Sequence, residues 1–382
     1  MHLLITNAVN YISDELMISR RNFLIKSITS LVYLAISGCA KAGELSSRQN
    51  EDSGFKLSDS PNFNKLTKRF QHPAGDLNDK SFVDLFNFFK DYFRRVDDDW
   101  ENTGFPVVQI SNNKLKSFEE NVMWVGHSSV MINHSNLTIL TDPQFSDYAS
   151  PFSFMGPKRA TPAPFKPAEL PPLDVVIISH NHYDHLDEYS IRQISKHQPN
   201  VKFLVPLGLR KLLIEWGVAD VTELDWWQSV IVKGVTFQPT PVQHWSKRSA
   251  FDRNKTLWAG WMTQWEDFSF YFTGDTGYSD DFKEVSKRLG RPDLAAIPIG
   301  AYEPREFMKS SHINPEEAVA VFKDLGARYA IAIHWGTFKL TLEKMDEPPR
   351  RLEQAIENAE VSKTQFRVLQ HGEFWPDVFT DT

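Results

Sequence analysis

With one cysteine, Cys39, among 382 residues, the chain has no internal disulfide and no thiolate metal cage to consider. Cationic residues are not in excess. Lys and Arg number 42 against 49 Asp and Glu, a formal net charge of −7 at pH 7, and no basic block occurs. Nucleic acid is thereby excluded as a main partner, because phosphate neutralisation dominates that kind of affinity. Internal repeats and low-complexity tracts are lacking. The apolar stretch from Ile28 to Ile36 is too short to span a bilayer, which takes about 20 residues.

What is present is a globular composition, 41% hydrophobic and 24% charged, in a chain long enough to bury a core without staples. At roughly 100–200 residues per domain the length allows one large domain with an extension, or two modest ones. Twelve His residues accompany the single Cys, so any metal must be held by imidazole and carboxylate.

The amino terminus reads as an address. Arg20-Arg21, Phe23-Leu24 and Lys26 lead into the short apolar stretch, which closes on Ser37-Gly38 before Cys39. The segment SRRNFLIK resembles a twin-arginine export signal, and Ile36-Ser37-Gly38-Cys39 resembles a bacterial lipobox. The expectation is a signal peptide over residues 1–39, a lipidated Cys39, and a lipoprotein at the periplasmic face of a bacterial membrane. Residues 40–67 are polar and turn-rich and are expected to form a flexible tether. An amino-terminal extension over 68–117 and a main domain over 118–375 follow. Within the extension, Phe82, Leu85, Phe86, Phe89 and Phe93 recur at helical spacing behind Ser81, a candidate N-cap. They predict an amphipathic helix over 81–95 with that face packed on the main domain or, as the alternative, laid against a membrane.

From about residue 118 short β-like runs alternate with helical stretches. The runs include NVMWVGHSS, LTILTDP, DVVIISHNHYDH, VKFLVP, VTFQPTPVQHW, FSFYFTGDTGY and ARYAIAIHWG. Helices are expected near 188–197, 207–216, 280–289 and 315–326, the last started by Asn314 at the cap and Pro315 just inside. This alternation implies a layered sheet domain covered by helices.

Chemistry collects where the runs end. Asp174-Val175-Val176-Ile177-Ile178 delivers directly into Ser179-His180-Asn181-His182-Tyr183-Asp184-His185. His at i and i+2 in extended chain project to one side, and Asp184 with His185 reach a second point once the chain turns. Three other runs end in His244, Asp275 and His334. So many titratable groups beside apolar strands are costly to bury unless something pairs them, and together they indicate a metal site.

This H-x-H-x-D-H pattern, with its later His, Asp and His, resembles the metallo-β-lactamase superfamily. The resemblance implies an α+β fold, an αββα sandwich of two mixed sheets flanked by helices. It assigns His180, His182 and His244 to one metal, Asp184, His185 and His334 to a second, and Asp275 to both. Thr141-Asp142-Pro143 looks like the motif whose Asp supports the His-rich loop, a role that suits Asp142 because metal-bound imidazoles usually donate their other N–H to a carboxylate. Donors without thiolate point to two divalent ions, Zn2+ first, with Mn2+ or Fe2+ also suited.

Seven flanking segments, among them Val125-Gly126-His127-Ser128-Ser129, Gly300-Ala301-Tyr302-Glu303-Pro304-Arg305 and His312-Ile313-Asn314-Pro315, are similar to the N-acylphosphatidylethanolamine-hydrolysing phospholipase D family. That resemblance implies a phospholipid substrate, with phosphatidate and N-acylethanolamine as products. It also places Tyr183 and His312 at the substrate, with His312 contacting phosphate or carrying a proton. Asp184 is expected to handle the proton of the attacking water as well as to bind metal. Two other readings stay open here, a lactonase or other phosphodiester hydrolase on the same scaffold, and a lipoprotein that binds metal or lipid without turnover. The aromatics Phe152, Phe154, Phe165, Trp226, Trp227, Trp245, Trp258 and Trp261 are candidates to line an acyl groove.

Overall fold

Strands form where the apolar runs predict them. The structure is a computed structural model and describes residues 56–75, 80, 82–95, 105–116 and 119–379. A short hairpin of β1 (Phe63–Asn64) and β2 (Arg69–Phe70) comes first. The first large sheet opens as an antiparallel meander, β3 (Asn121–Gly126), β4 (Ser129–His134) and β5 (Leu137–Thr141). It continues in parallel through β6 (Val175–Ile177), β7 (Lys202–Pro206) and β8 (Asp220–Leu224). The second sheet repeats the plan. β9 (Val230–Val232), β10 (Val235–Thr240), β11 (Gly260–Gln264) and β12 (Ser269–Phe272) are antiparallel. β13 (Leu294–Pro298), β14 (Tyr329–Ile333) and β15 (Phe366–Arg367) then add in parallel. β16 (Glu373–Trp375) returns to pair antiparallel with β3, so each sheet has seven strands.

The helices are α1 (Phe82–Arg95), α2 (Asn112–Lys116), α3 (Glu188–His197), α4 (Arg210–Glu215), α5 (Asp281–Leu289), α6 (Arg305–Met308), α7 (Pro315–Leu325) and α8 (Glu347–Asn358). Alternation along the strands assigns the layers. Met123, Met131, Val176 and Phe203 share a core with Ile191 and Ile194 of α3. Their neighbours Trp124, Ile132, Val175, Ile177 and Leu204 are equally buried and face the other sheet, the pattern of strands covered on both sides. Tryptophans tie the sheets together. Trp124 stacks on Trp335 at 5.2 Å, and the Trp261 indole N–H donates to the Ile178 carbonyl at 2.9 Å. On the far side of the second sheet α5 packs on α7, which lies against β13. The layers are helix, sheet, sheet, helix, the αββα sandwich expected.

Lys56–Arg248 and Asp252–Thr382 form one compact unit, which holds all the residues of the metal centre described below. No helix of the described residues is long and apolar enough to cross a membrane. The export signal, Cys39, residues 40–55 and the Ser81 cap lie outside the described residues.

Two expectations are corrected. The expected tether does not run to residue 67, because Phe63 packs on Phe70 at 5.1 Å, Phe70 is fully buried, and Asn62 donates to Asp225. Two aromatic anchors in an otherwise polar stretch are enough to fold it. Helix α1 forms, but Phe86, expected on the packed face, is 65% exposed. Phe88 instead stacks on Phe307 at 4.9 Å, and the Tyr92 hydroxyl donates to the Lys339 carbonyl. The partners on the main domain, not the apolar stripe alone, set the rotation of the helix.

Candidate metal centre

Four strand exits converge. His180 follows β6 after two residues, Asp275 follows β12, His334 follows β14 immediately, and His244 follows β10. Gly274 lets two of these loops meet. Its φ is +59°, and a Cβ there would lie 2.7 Å from that of Ser179.

His180, His182 and His244 form one cluster. The His182 Nδ1 lies 2.8 Å from His180 Nε2 and 3.3 Å from His244 Nε2. His180 Nδ1 contacts the Ser179 hydroxyl, itself donated to Asp142, while His244 Nδ1 donates to the Ser311 carbonyl. With those protons on Nδ1, both Nε2 atoms are bare. Bare nitrogens facing one point, near the edge of about 3.3 Å that tetrahedral metal–nitrogen bonds require, suit a cation. Burial holds His180 well below its ordinary pKa and His182 and His244 at about 3, so all three are neutral, as ligands must be.

The second cluster is Asp184, His185 and His334, whose ring Nε2 atoms lie 3.4 and 3.3 Å from Asp184 Oδ2. Asp275 stands between the clusters. Its Oδ2 is 3.0 Å from His185 Nε2 and 3.9 Å from His244 Nε2, and its Oδ1 is 3.2 Å from His334 Nε2. His185 Nε2 and Asp275 Oδ1 are nevertheless buried without a well-formed hydrogen bond, as atoms left for another partner are. Burial works against charge here, but the carboxylates win. Asp275 and Asp184 hold His185 well above its usual range and His334 at about 9. Burial likewise opposes ionisation of Asp184 and Asp275, and the imidazoles keep both well below the usual carboxylate range. A divalent cation held here would take the place of the protons that these carboxylates otherwise recruit.

Asp142 lies beneath, fully buried. Its carboxylate accepts from His185 Nδ1 at 2.7 Å and from the Ser179 backbone N–H at 2.7 Å, which turns His185 Nε2 toward the centre. Burial raises the Asp142 pKa against the pull of His185 and Ser179. His312 reaches the centre from the α6–α7 loop, Nδ1 3.8 Å from Asp275 Oδ2, and burial keeps it neutral against the pull of Asp275. The loop is held by Arg305, which donates to the His312 carbonyl at 2.7 Å and pairs with Glu317. Asn314 caps α7, accepting from the Glu317 N–H, with Pro315 in the first turn, as the sequence predicts.

Tyr183 sits apart from the donors. Its hydroxyl donates to the Arg248 carbonyl at 2.9 Å and its ring lies under the Arg248 guanidinium. It lines a cavity of about 790 Å3 together with Tyr148, Phe152, Leu212 and Trp216. Arg248 also donates to the carbonyls of Asn181 and Leu186, bracing the His-rich loop at both ends. Of the candidate groove aromatics, Phe165, Trp226, Trp258 and Trp261 are buried in the core instead. Sequence reasoning missed Arg248, Arg305 and His127 as parts of the site. His127 had a signal, an imidazole at the end of the apolar run that forms β3.

The family described as beta-lactamase superfamily domain matches residues 138–335. The N-acyl-phosphatidylethanolamine-hydrolyzing phospholipase D 1 of Caenorhabditis elegans is 41% identical over 329 residues, 81% of this chain and 92% of that protein. The mitochondrial N-acyl-phosphatidylethanolamine-hydrolyzing phospholipase D of Saccharomyces cerevisiae is 39% identical over 242 residues, 61% of this chain and 51% of the yeast protein. Among solved structures, a metallo hydrolase of the archaeon Ignicoccus hospitalis aligns with a TM-score of 0.51 at 20% identity, over 67% of this chain and 97% of that one, which shows the shared fold. With its paired sheets, its buried His and Asp clusters and these relatives, the chain belongs to the metallo-β-lactamase superfamily and, within it, to the N-acyl-phosphatidylethanolamine-hydrolysing phospholipase D family of metal-dependent hydrolases.

Proposed function

We propose that this hydrolase cleaves the phosphodiester of N-acylphosphatidylethanolamine, or of a related phospholipid, to phosphatidate and N-acylethanolamine. The observation that carries the reading is the pair of ligand clusters meeting at Asp275 with His312 against them. The activity for which the worm and yeast relatives are named supports the substrate class. His180, His182 and His244 are assigned one divalent cation, Asp184, His185 and His334 a second, and Asp275 both. The nitrogen and oxygen donor set favours zinc and also suits manganese or iron. Cations held there supply Lewis acidity toward a phosphoryl oxygen and a water of lowered pKa.

The chain's own groups do the rest. Asp184, ionised and therefore acceptor-only, takes a proton from the attacking water. The water oxygen joins phosphorus as the bond to the N-acylethanolamine oxygen breaks, and the proton on Asp184 is available to that leaving oxygen. Asp142 keeps His185 turned inward. His312, neutral, offers a ring N–H to a phosphoryl oxygen. Tyr183 forms part of the wall of the cavity that we assign to acyl chain.

We also assign residues 1–39 to twin-arginine export and Cys39 to a lipid anchor at the periplasmic face. The support is the order of twin Arg, apolar stretch, small residues and Cys in the sequence. A turnover screen of N-acylphosphatidylethanolamine, ordinary phospholipids, lactones and bis(p-nitrophenyl) phosphate, with metal analysis of the same sample, tests the activity. Release of N-acylethanolamine is expected. Lactone hydrolysis without phosphodiester turnover would make the protein a lactonase, and bound metal with no turnover at all would leave a binding lipoprotein.

A further inference from the structure

His127 is not among the ligands assigned above, yet it is built into the same centre, with a ring nitrogen within 4.8 Å of the donor atoms of Asp184, His185 and His334. It occupies the turn between β3 and β4, 1% exposed, in the left-handed region at φ +52°. A side chain other than glycine pays for that conformation only where its surroundings over-determine it. Here they do. The His127 N–H donates to the Thr337 hydroxyl at 2.8 Å, and its carbonyl accepts from the His334 N–H at 2.8 Å and from the Trp124 indole at 2.9 Å. Gly126 makes the approach possible, since a Cβ there would meet the His371 ring at 2.8 Å.

The pinned backbone aims the ring at Asp184. Its Nε2 lies 3.1 Å from Asp184 Oδ2, and the ring lies 4.1 Å from that of His334, centroid to centroid. An ionised carboxylate only accepts, so Nε2 carries the hydrogen. Nδ1 is then the bare atom, and it is buried without a partner. The same Asp184 oxygen faces His185 Nε2 and His334 Nε2. Rotation about the carboxylate torsion would exchange the two oxygens of Asp184, and among these contacts His127 is the one that donates to Oδ2 from outside the ligand set. One lone pair of Oδ2 takes the His127 hydrogen and the other remains for a cation shared with His185 and His334.

We propose that His127 is a positioning residue for Asp184, fixing which carboxylate oxygen faces the second metal position. This rests on the two-cation reading above. Ligating carboxylates are commonly hydrogen-bonded in this way, and loss of such a partner weakens metal binding about 10–100-fold.

The test is zinc titration of the purified full-length protein against a chromophoric chelator, for wild type, His127→Leu and His127→Gln. Two tightly held ions are expected in wild type. His127→Leu should keep one and bind the second 10–100-fold more weakly. His127→Gln, whose amide N–H donates to the same oxygen, should recover most of that loss. If the leucine variant does not fold, His127→Asn, too short to reach, supplies the same contrast with glutamine. Unchanged second-ion affinity in the leucine or asparagine variant would overturn the proposal. So would a glutamine variant as weak as leucine, since that is the behaviour of a metal ligand or of a purely structural residue. A wild type that holds a single ion would overturn the two-cation reading itself, and this inference with it.

Discussion

Asp275 is a carboxylate within reach of both donor clusters, and Asp142 orients His185 from below. Asp275→Ala is therefore expected to leave fewer than one tightly bound metal per chain by elemental analysis; two would contradict its assignment. Asp142→Ala removes the acceptor of His185 Nδ1 and of Ser179, so metal affinity should fall about 10–100-fold, and wild-type affinity would refute the role. The pH dependence has a definite sign. His334, raised to about 9, and His185, raised well above its ordinary value by the same carboxylates, hold protons at neutral pH in the metal-free centre. Cations must displace those protons, so apparent affinity should rise with pH by up to about tenfold per unit for each proton released, and flatten for His334 above about pH 9. A flat profile in chelator competition from acidic to alkaline pH would contradict it. At this scale most of the centre was legible, because His180, His182, Asp184 and His185 are contiguous and the other donors each end an apolar run. His127 also ends an apolar run, but with no second donor beside it in the sequence it was not read as part of the centre. Nothing in the spacing around Tyr183 shows that its hydroxyl is engaged by the Arg248 carbonyl.

Helix α7 illustrates how an element carries a loop of the metal centre. Its cap Asn314 and the Arg305 clasp hold the turn that presents His312, so capping and site geometry share residues. Asn314→Ala should destabilise the metal-loaded protein by about 1 kcal/mol in denaturant unfolding. No measurable loss would show that Arg305 and Glu317 suffice. The helices at 188–197, 281–289 and 315–325 were legible from caps and spacing, within a residue or two at their ends. Several strands were not. β13 is the run Leu-Ala-Ala-Ile-Pro, whose alanines have low strand preference, and β15 has two residues; both exist because neighbouring strands supply hydrogen bonds from far along the chain. Helix α1 shows the opposite limit. Its periodicity is plain in the sequence, but the face it packs is chosen by Phe307 and Lys339, more than 200 residues later.

For the molecule as a whole, the proposed anchor and the proposed substrate make one picture, an enzyme kept at the surface that holds its lipid. Tethering raises local substrate concentration without any new contact. Cys39→Ser should move the protein from the membrane to the soluble fraction, and joint Arg20→Lys and Arg21→Lys substitution should block export. Fractionation unchanged by both would refute the lipoprotein assignment. The layered architecture was legible because runs and helices alternate, whereas the near-repetition of one meander-then-parallel plan in both sheets was not, since it resides in long-range pairing. The most direct measurement of the proposed chemistry is turnover of N-acylphosphatidylethanolamine by the metal-loaded protein in oxygen-18 water, with mass analysis of both products. Attack on phosphorus with departure of N-acylethanolamine predicts label in the phosphatidate phosphate and none in the N-acylethanolamine. Label in the N-acylethanolamine, or lactone hydrolysis with no phosphodiester cleavage, would contradict it.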